Sequence, residues 1–344
     1  MSTVDAVFAS SAVLAGSMRV GLAVHVAQGA VVRALDDAVE VGAGSAVLEN
    51  SVVIGRPGLG VHIGRRTVFG HRCLVVGAAV GDLCEIGNGS ILLPGARLGD
   101  RCFLGEGCLI PPGAVIPDGS VVVGRPGHTI RHVTDADIER LRRLRDGDLS
   151  LPPGGAVSCS NRPEAGARMG QLYSYRGKVP EVSDRAIVFD TAEITGDVVI
   201  GADSIIGSGV RIIGDSHGPV RIGARVQILE NTVLHLLPDN ELCLEDDVII
   251  GPGAMIHGCH IGAGTIVEPG AIVCDWSEIG RDCLVTAGSV VKQRDRFGDR
   301  RVLEGFPAKA VGEVPARQAV PAWAFRLGDL PSLVSVERGV QLKP

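Results

Sequence analysis

The chain has 344 residues and a formal net charge of −6, and this acidic balance argues against nucleic acid as a partner. It has no apolar run of membrane-spanning length and no basic segment before an apolar core at its N-terminus, so we expect neither a membrane partner nor a signal peptide. Nine scattered cysteines without a CxxC pair are typical of reduced thiols, which predicts a cytoplasmic location.

Aliphatic residues recur every six positions through two long stretches of the chain. Such hexapeptide periods are a signature of parallel β-helices, whose thin coils bury a core only when they stack. The 48 glycines and the 3% aromatic content fit this fold, whereas a β-sandwich would need hairpin turns and variable strand spacing. The two series are Val41, Val47, Val53, Ile63, Phe69, Val75, Val80, Ile86, Leu92, Leu98, Leu104 and Ile110, then Ile222, Ile228, Leu234, Leu244, Ile250, Ile256, Ile261, Val267, Val273, Ile279, Val285 and Val291.

The pattern resembles the left-handed β-helix family, whose triangular prisms have three faces per coil. Residues 39–110 align without a gap to residues 220–291, so the chain contains two copies of the repeat. We therefore predict an all-β fold of two tandem left-handed parallel β-helices, with a short α-helix after the first. The predicted segments are a first β-helix over 1–148, a linker over 149–183, a second β-helix over 184–315 and a tail over 316–344.

The helix is predicted over residues 135–146, where it would lie along the first β-helix. Thr134 and Asp137 have the spacing of a capping box, and Ile138, Leu141 and Leu144 form an apolar stripe. The linker prediction rests on the run Pro152-Pro153-Gly154-Gly155 and on many small polar residues. The tail carries Trp323, Phe325, Leu327, Leu330 and Leu333 and is apolar enough to dock, on a surface that the sequence leaves open.

Two histidines of the second copy are predicted to share one face. His235 and His257 each follow an inward position, and these positions are separated by one coil plus a four-residue insertion near residues 238–241. Adjacent coils are about 4.8 Å apart, so the two imidazoles can converge on one ion. His71 of the first copy belongs to a preceding hexad and a different face, so it can join them only from a second prism.

The three histidines are divided between the copies in a complementary way. Where one copy has a histidine, the aligned position of the other has none; the three replacements are Ile54, Val76 and Pro252. Three neutral imidazoles and one open position are typical of a catalytic zinc site. We therefore predict one metal site, with His71, His235 and His257 as its ligands, built between the two β-helices. The opposing interpretation is decay, in which each copy has lost different ligands and the protein is a non-catalytic scaffold.

The second copy resembles the γ-class carbonic anhydrases over about 70 residues, from Arg221-Ile222-Gly223 through Glu230 and His235 to Met255-Ile256-His257-Gly258-Cys259. The resemblance implies zinc, or iron or cobalt at the same site, bound between prisms. It implies that His235 and His257 come from one prism and that the middle histidine, His71, comes from a neighbour. Glu230 holds the acid position of the family, and the segment with Asp215 and His217 borders its active site.

Three departures from the family pattern concern the reaction. Leu229 replaces a polar residue, Pro238 replaces a glutamate, and Ile213-Gly214-Asp215 stands where the family has Arg-Gly-Asp. The resemblance implies that these positions hold a zinc-bound water and move its proton. We therefore expect a hydro-lyase or hydrolase acting on a specialised small molecule rather than fast carbon dioxide hydration, with Glu230, Asp215 and His217 as catalytic candidates.

Two alternatives to this enzyme stay open. One is a hexapeptide-repeat acyltransferase that uses acyl-CoA, with His217 as its only plausible catalytic histidine, and the other is the non-catalytic scaffold. In all three cases we expect self-association through the faces of the β-helices.

Overall fold

The computed structural model describes residues 6–161, 170–215, 218–315, 318–333 and 341–343. The chain divides into two compact units, Met1–Arg162 and Pro163–Pro344. In each unit short parallel strands stack coil upon coil on three faces, which confirms the predicted pair of tandem parallel β-helices.

The first unit has eighteen parallel-stacked strands and two antiparallel ones among the residues that the structure describes. The first face is formed by Val7–Phe8, His25–Val26, Ala46–Val47, Val68–Phe69, Glu85–Ile86, Phe103–Leu104 and Ser120–Gly124, with Gly127–His132 returning antiparallel. The second face is formed by Val13–Val20, Val31–Ala34, Val52–Gly55, Leu74–Val76, Ile91–Leu92 and Leu109–Ile110, and Val157–Asn161 pairs antiparallel with the first of these. The third face is formed by Val39–Val41, Val61–Ile63, Ala79–Val80, Arg97–Leu98 and Val115–Ile116.

The second unit repeats the three faces. The first face is formed by Ile187–Val188, Ile205–Ile206, Gln227–Ile228, Ile249–Ile250, Ile266–Val267, Leu284–Val285 and Arg301–Gly305, with Ala308–Glu313 returning antiparallel. The second face is formed by Gln341–Lys343, Gln171–Tyr173, Glu193–Gly196, Arg211–Gly214, Val233–Leu234, Met255–Ile256, Ile272–Val273 and Val290–Val291. The third face is formed by Glu181–Val182, Val198–Ile200, Val220–Ile222, Leu242–Leu244, His260–Ile261, Glu278–Ile279 and Arg296–Phe297.

The core of each unit consists of the residues that the six-residue period marks as inward. Every member of both predicted series is buried and belongs to the hydrophobic core of its own unit. The stacking is in register, so Leu234 lies over Ile256 and Ile228 lies over Ile250. Because each coil contacts only its neighbours, the core forms as a continuous column of aliphatic side chains.

The predicted helix is present as α1, Asp135–Leu144, and its capping box is formed. The Thr134 N–H donates to the Asp137 carboxylate at 2.8 Å, and the Asp137 N–H donates to the Thr134 hydroxyl at 3.4 Å. Leu141 is fully buried, and Arg145, just after the helix, pairs with Glu85 on the first face of the first unit. The helix therefore lies along the first β-helix, as predicted. None of the helices that the structure describes is long and apolar enough to cross a membrane.

Residues 149–183, predicted to be a linker, contain strands of both units. Arg65 donates to the Pro152 carbonyl at 3.3 Å, and Arg66 donates to the Ser150 carbonyl at 3.0 Å. These bonds hold the chain against the first unit before the strand Val157–Asn161 pairs with Val13–Val20. Local composition misses this arrangement because two distant arginines and a sheet edge fix the segment.

The tail docks on the first face of the second unit. The rings of Phe325 and Phe189 have centroids 5.2 Å apart. Gln227 makes two hydrogen bonds with the backbone of Phe325, accepting from its N–H at 2.9 Å and donating to its carbonyl at 3.2 Å. Trp323 and Leu330 are buried as well. The surface that the sequence left open is thus the outer side of this face.

All nine cysteines are free, and their exposure predicts two reactivity classes. Burial raises the pKa of Cys73 to about 12 and the pKa of Cys108 to about 11, so little reactive thiolate forms at pH 8. We expect the three partly exposed thiols, Cys159, Cys243 and Cys274, to react in the native protein and the six buried ones only after unfolding. Titration with a chromogenic disulfide, with and without guanidinium, measures this; more than three fast thiols would contradict the stacked core.

Candidate functional site

Two histidines of the second unit lie next to each other on one corner of the β-helix. His235 and His257 directly follow second-face strands, and the preceding residues, Leu234 and Ile256, pair in register. The imidazole centroids are 6.5 Å apart, with an angle of 79° between the ring planes. The structure therefore places the two rings on adjacent coils of one face, as the spacing predicts.

His235 and His257 carry imidazole nitrogens, which are donors of the kind that divalent metals bind. Neutral imidazole is a common zinc ligand, and a tetrahedral pair with Zn–N bonds of about 2.0–2.1 Å has ring centroids roughly 5 Å apart. The 6.5 Å between the ring centroids of His235 and His257 is longer than this value, so zinc binding requires the two rings to move closer together. The two side chains are 32% and 28% exposed, so an ion can reach them. Within the described parts of the chain, no group of three or more His, Cys, Asp or Glu side chains is arranged to hold a metal.

Asp215 is the predicted catalytic residue that the structure brings next to this pair. It follows the strand Arg211–Gly214, one coil before His235, and its Oδ2 lies 3.8 Å from Nε2 of His235. The carboxylate of Asp215 therefore lies beside Nε2 of His235. His217, the other candidate on this segment, lies outside the described residues.

Asp275 is a neighbour of the pair that the sequence analysis did not identify. Its side chain is 4% exposed, and its Oδ2 lies 3.4 Å from Nδ1 of His257. Asp275 occupies the next coil after His257, two residues beyond the strand position that stacks on Ile256. The repeat does indicate this position. Three hexads after His257 the count reaches Asp275, where the first copy has Pro94.

The four-residue insertion folds over the same corner. Asn240 donates to the Gly258 carbonyl at 2.7 Å and to Oδ1 of Asp275 at 3.2 Å. A Cβ atom at Gly258 would lie 2.2 Å from Asn240 Nδ2, so only glycine fits after His257 while the loop holds this position. The insertion is therefore held by hydrogen bonds against the corner that carries His235 and His257, the histidine corner.

Glu230 lies at a different corner of the same unit. It stands between the first-face strand Gln227–Ile228 and the second-face strand Val233–Leu234, whereas His235 follows the latter. Glu230 is 1% exposed, and the preceding Leu229 is fully buried. The acid that the family pattern singles out is thus a buried carboxylate, next in sequence to the leucine that replaces a polar residue.

His71 lies in the first unit at the corner between the first and second faces, after Val68–Phe69 and before Leu74–Val76. Its Nδ1 lies 2.7 Å from Oε2 of Glu49, and its side chain is 53% exposed. A backbone hydrogen bond lowers the pKa of the Glu49 carboxyl, and the contact with His71 acts in the same direction. A carboxylate therefore faces Nδ1 of His71, as Asp275 faces Nδ1 of His257.

Comparison with known proteins places these coils in one family. Residues 60–94 and 95–123 match the hexapeptide repeat of succinyl-transferase. Over 143 residues, 42% of this chain and 78% of the relative, the sequence is 36% identical to a carbonic anhydrase of Geobacillus kaustophilus. It is 34% identical to the carnitine operon protein CaiE of Escherichia coli over 142 residues, 41% of this chain and 72% of the relative.

A solved structure also matches part of the chain. A hexapeptide transferase family protein from Anaplasma phagocytophilum is 29% identical, with 41% of this chain and 83% of that chain covered and a TM-score of 0.39. The matched repeats and the two relatives above 30% identity agree with one another. The chain therefore belongs to the hexapeptide-repeat family of γ-class carbonic anhydrase-like proteins.

Proposed function

We propose that this protein is a metal-dependent enzyme, with zinc as the metal, that hydrates, dehydrates or hydrolyses a small organic molecule. The observation that carries the proposal is the pair His235 and His257, held on adjacent coils with a buried carboxylate behind one ring. A histidine ligand whose other ring nitrogen faces a carboxylate is a recurrent arrangement in zinc sites. The name of the Geobacillus kaustophilus relative, a carbonic anhydrase, points to the same chemistry.

Zinc, when bound, supplies Lewis acidity, which polarises a carbonyl oxygen or makes a water molecule more acidic. The residues of this chain have four tasks around it. His235 and His257 bind the zinc. Asp215, whose Oδ2 lies 3.8 Å from Nε2 of His235, accepts or returns a proton at the edge of the site. Buried Glu230 supports the neighbouring corner, and the insertion anchored by Asn240 limits access from one side.

The substrate is proposed to be larger and less polar than carbon dioxide. Leu229 is buried where the family has a polar residue, and Pro238 lies in the insertion in place of a glutamate. Both replacements remove hydrogen-bonding groups that order water, which disfavours rapid carbon dioxide hydration and favours an organic carbonyl compound or ester.

We extend the proposal to His71 as the third ligand. Its support is the complementary division of histidines between the copies, together with Nδ1 of His71 facing Glu49, which leaves Nε2 as its metal-binding nitrogen. We expect His71→Ala to lower the zinc content per chain as strongly as the loss of His257 does. Normal zinc content in His71→Ala would remove this residue from the site and leave the pair to be completed differently.

The test of the function is metal analysis followed by activity. The purified protein is expected to contain close to one zinc per chain and to hydrolyse activated esters or thioesters in a zinc-dependent manner, with slow carbon dioxide hydration measured in parallel. A protein that takes up no zinc and binds acetyl-CoA in calorimetry would instead support an acyltransferase. A protein that takes up neither would be a scaffold, and both results would overturn the proposal.

A further inference from the structure

One carboxylate oxygen of Asp275 is a shared acceptor for three N–H groups. Oδ1 accepts from the backbone N–H of Leu237 at 3.0 Å, the backbone N–H of Gly258 at 3.1 Å and the side-chain amide of Asn240 at 3.2 Å. Two of these donors are backbone groups, which cannot reverse their polarity. The position of Oδ1 therefore requires an acceptor, and the carboxylate cannot rotate freely.

The other oxygen, Oδ2, consequently has a fixed direction, and it points to the side of His257 that is buried. Nδ1 of His257 is buried and makes no hydrogen bond within the described residues, while Oδ2 of Asp275 lies 3.4 Å away. An ionised carboxylate only accepts hydrogen bonds, so the ring meets it favourably when Nδ1 carries the proton. In that tautomer the lone pair is on Nε2.

We propose that Asp275 is a positioning residue that holds His257 as its Nδ1–H tautomer. The inserted loop in turn holds the carboxylate of Asp275 in place. This inference rests on the proposed function only in taking Nε2 as the metal-binding nitrogen. The same carboxylate anchors Leu237 and Asn240 of the loop through Oδ1 and faces His257 through Oδ2. The first copy has Pro94 at this position and Val76 where His257 stands, so the carboxylate and the histidine occur together.

The isosteric variant Asp275→Asn makes a sharp prediction. The three N–H donors would retain the amide oxygen at the Oδ1 position, which places the NH₂ group at the Oδ2 position. That group donates to Nδ1 of His257 and so stabilises the opposite tautomer, with the proton on Nε2. The matched control is Asn240→Ala, which loosens the loop but leaves the carboxylate opposite His257.

The experiment is ¹⁵N NMR of the imidazoles in the metal-free full-length protein at a pH of about 8, where unperturbed histidines are neutral. We expect His257 as the Nδ1–H tautomer in the wild type and in Asn240→Ala, and as the Nε2–H tautomer in Asp275→Asn. His235 in the same spectra is the internal reference and should not change. A wild-type His257 with its proton on Nε2 would overturn the inference, even if Asp275→Asn failed to fold.

Zinc affinity provides the second readout and separates the two proposals. Loss of a carboxylate behind a histidine ligand weakens metal binding about 10- to 100-fold, and we expect a loss in this range for Asp275→Asn. If the wild type binds no zinc but shows the tautomers described, the proposed function fails and the positioning role stands. If zinc binds equally to wild type and Asp275→Asn and His257 keeps one tautomer in both, the positioning role fails.

Discussion

Replacing His235 or His257 by alanine is expected to remove zinc from the purified protein and to reduce zinc-dependent turnover to background. Each variant takes away one of two donors that adjacent coils hold 6.5 Å apart between ring centroids. The other imidazole of the pair is then left without its neighbour on this corner, so the affinity for zinc should fall by roughly 100-fold or more. Elemental analysis of the protein and calorimetric zinc titration measure the two effects.

The matched control for these variants is His260→Ala in the same unit. His260 is 48% exposed and pairs with Glu245, with 3.0 Å between Nε2 and Oε1, on the third face. An exposed contact of this kind contributes little to stability, so His260→Ala should retain wild-type zinc content and unfolding behaviour. Equal zinc loss in His260→Ala would show nonspecific binding, and full zinc retention in both His235→Ala and His257→Ala would refute the proposed metal site.

The sequence predicts the β-helices and the histidine pair well for one reason. In a solenoid the inward residue of each coil is decided by a local period, so counting along the chain also counts through space. That is why Leu234 and Ile256 stack as expected and carry His235 and His257 to one corner. The four-residue insertion lengthens one coil but leaves the stacking in register, because it lies wholly between Leu234 and the strand Leu242–Leu244.

The features that the sequence does not predict depend on polar contacts between residues far apart in sequence. Asp275 reaches back to Leu237, and Arg66 fixes the Ser150 carbonyl; these pairs are 38 and 84 residues apart in sequence. Side-chain contacts between residues so far apart in sequence depend on the folded surface, and a repeat does not predict them. The same reason explains why local composition predicts a linker for a Pro- and Gly-rich stretch although part of it belongs to the first unit.

The surface on which the tail docks is also not predicted by the six-residue period, although the apolar residues of the tail predict that it docks. Ile205, Ile249 and Ile266 alternate with core residues on the first face of the second unit, so their side chains point outward. All three are nevertheless buried; Ile205 and Ile249 flank Gln227, to which the backbone of Phe325 is hydrogen-bonded, and Ile266 stacks on Ile249. The tail thus supplies a cover for an apolar face that the six-residue period alone does not predict.

Replacing Phe325 by alanine is therefore expected to destabilise the second unit strongly. Truncating a buried phenylalanine costs about 3–5 kcal/mol, a large part of the 5–15 kcal/mol by which native proteins are stable. Phe325 is 2% exposed and packs on Phe189, and the double variant with Trp323→Ala should lose the docked tail altogether. Urea unfolding and hydrogen exchange at Gln227 and Ile228 measure the change.

Leu327→Ala is the control for this prediction, because Leu327 is in the same segment but 75% exposed. A surface substitution of this kind is expected to change the free energy of unfolding by about 0.5 kcal/mol or less. Since the histidine corner lies between the second and third faces, the Phe325→Ala protein should still take up zinc under conditions where it remains folded. Unchanged urea stability in both Phe325→Ala and the double variant would show that the tail does not hold the face.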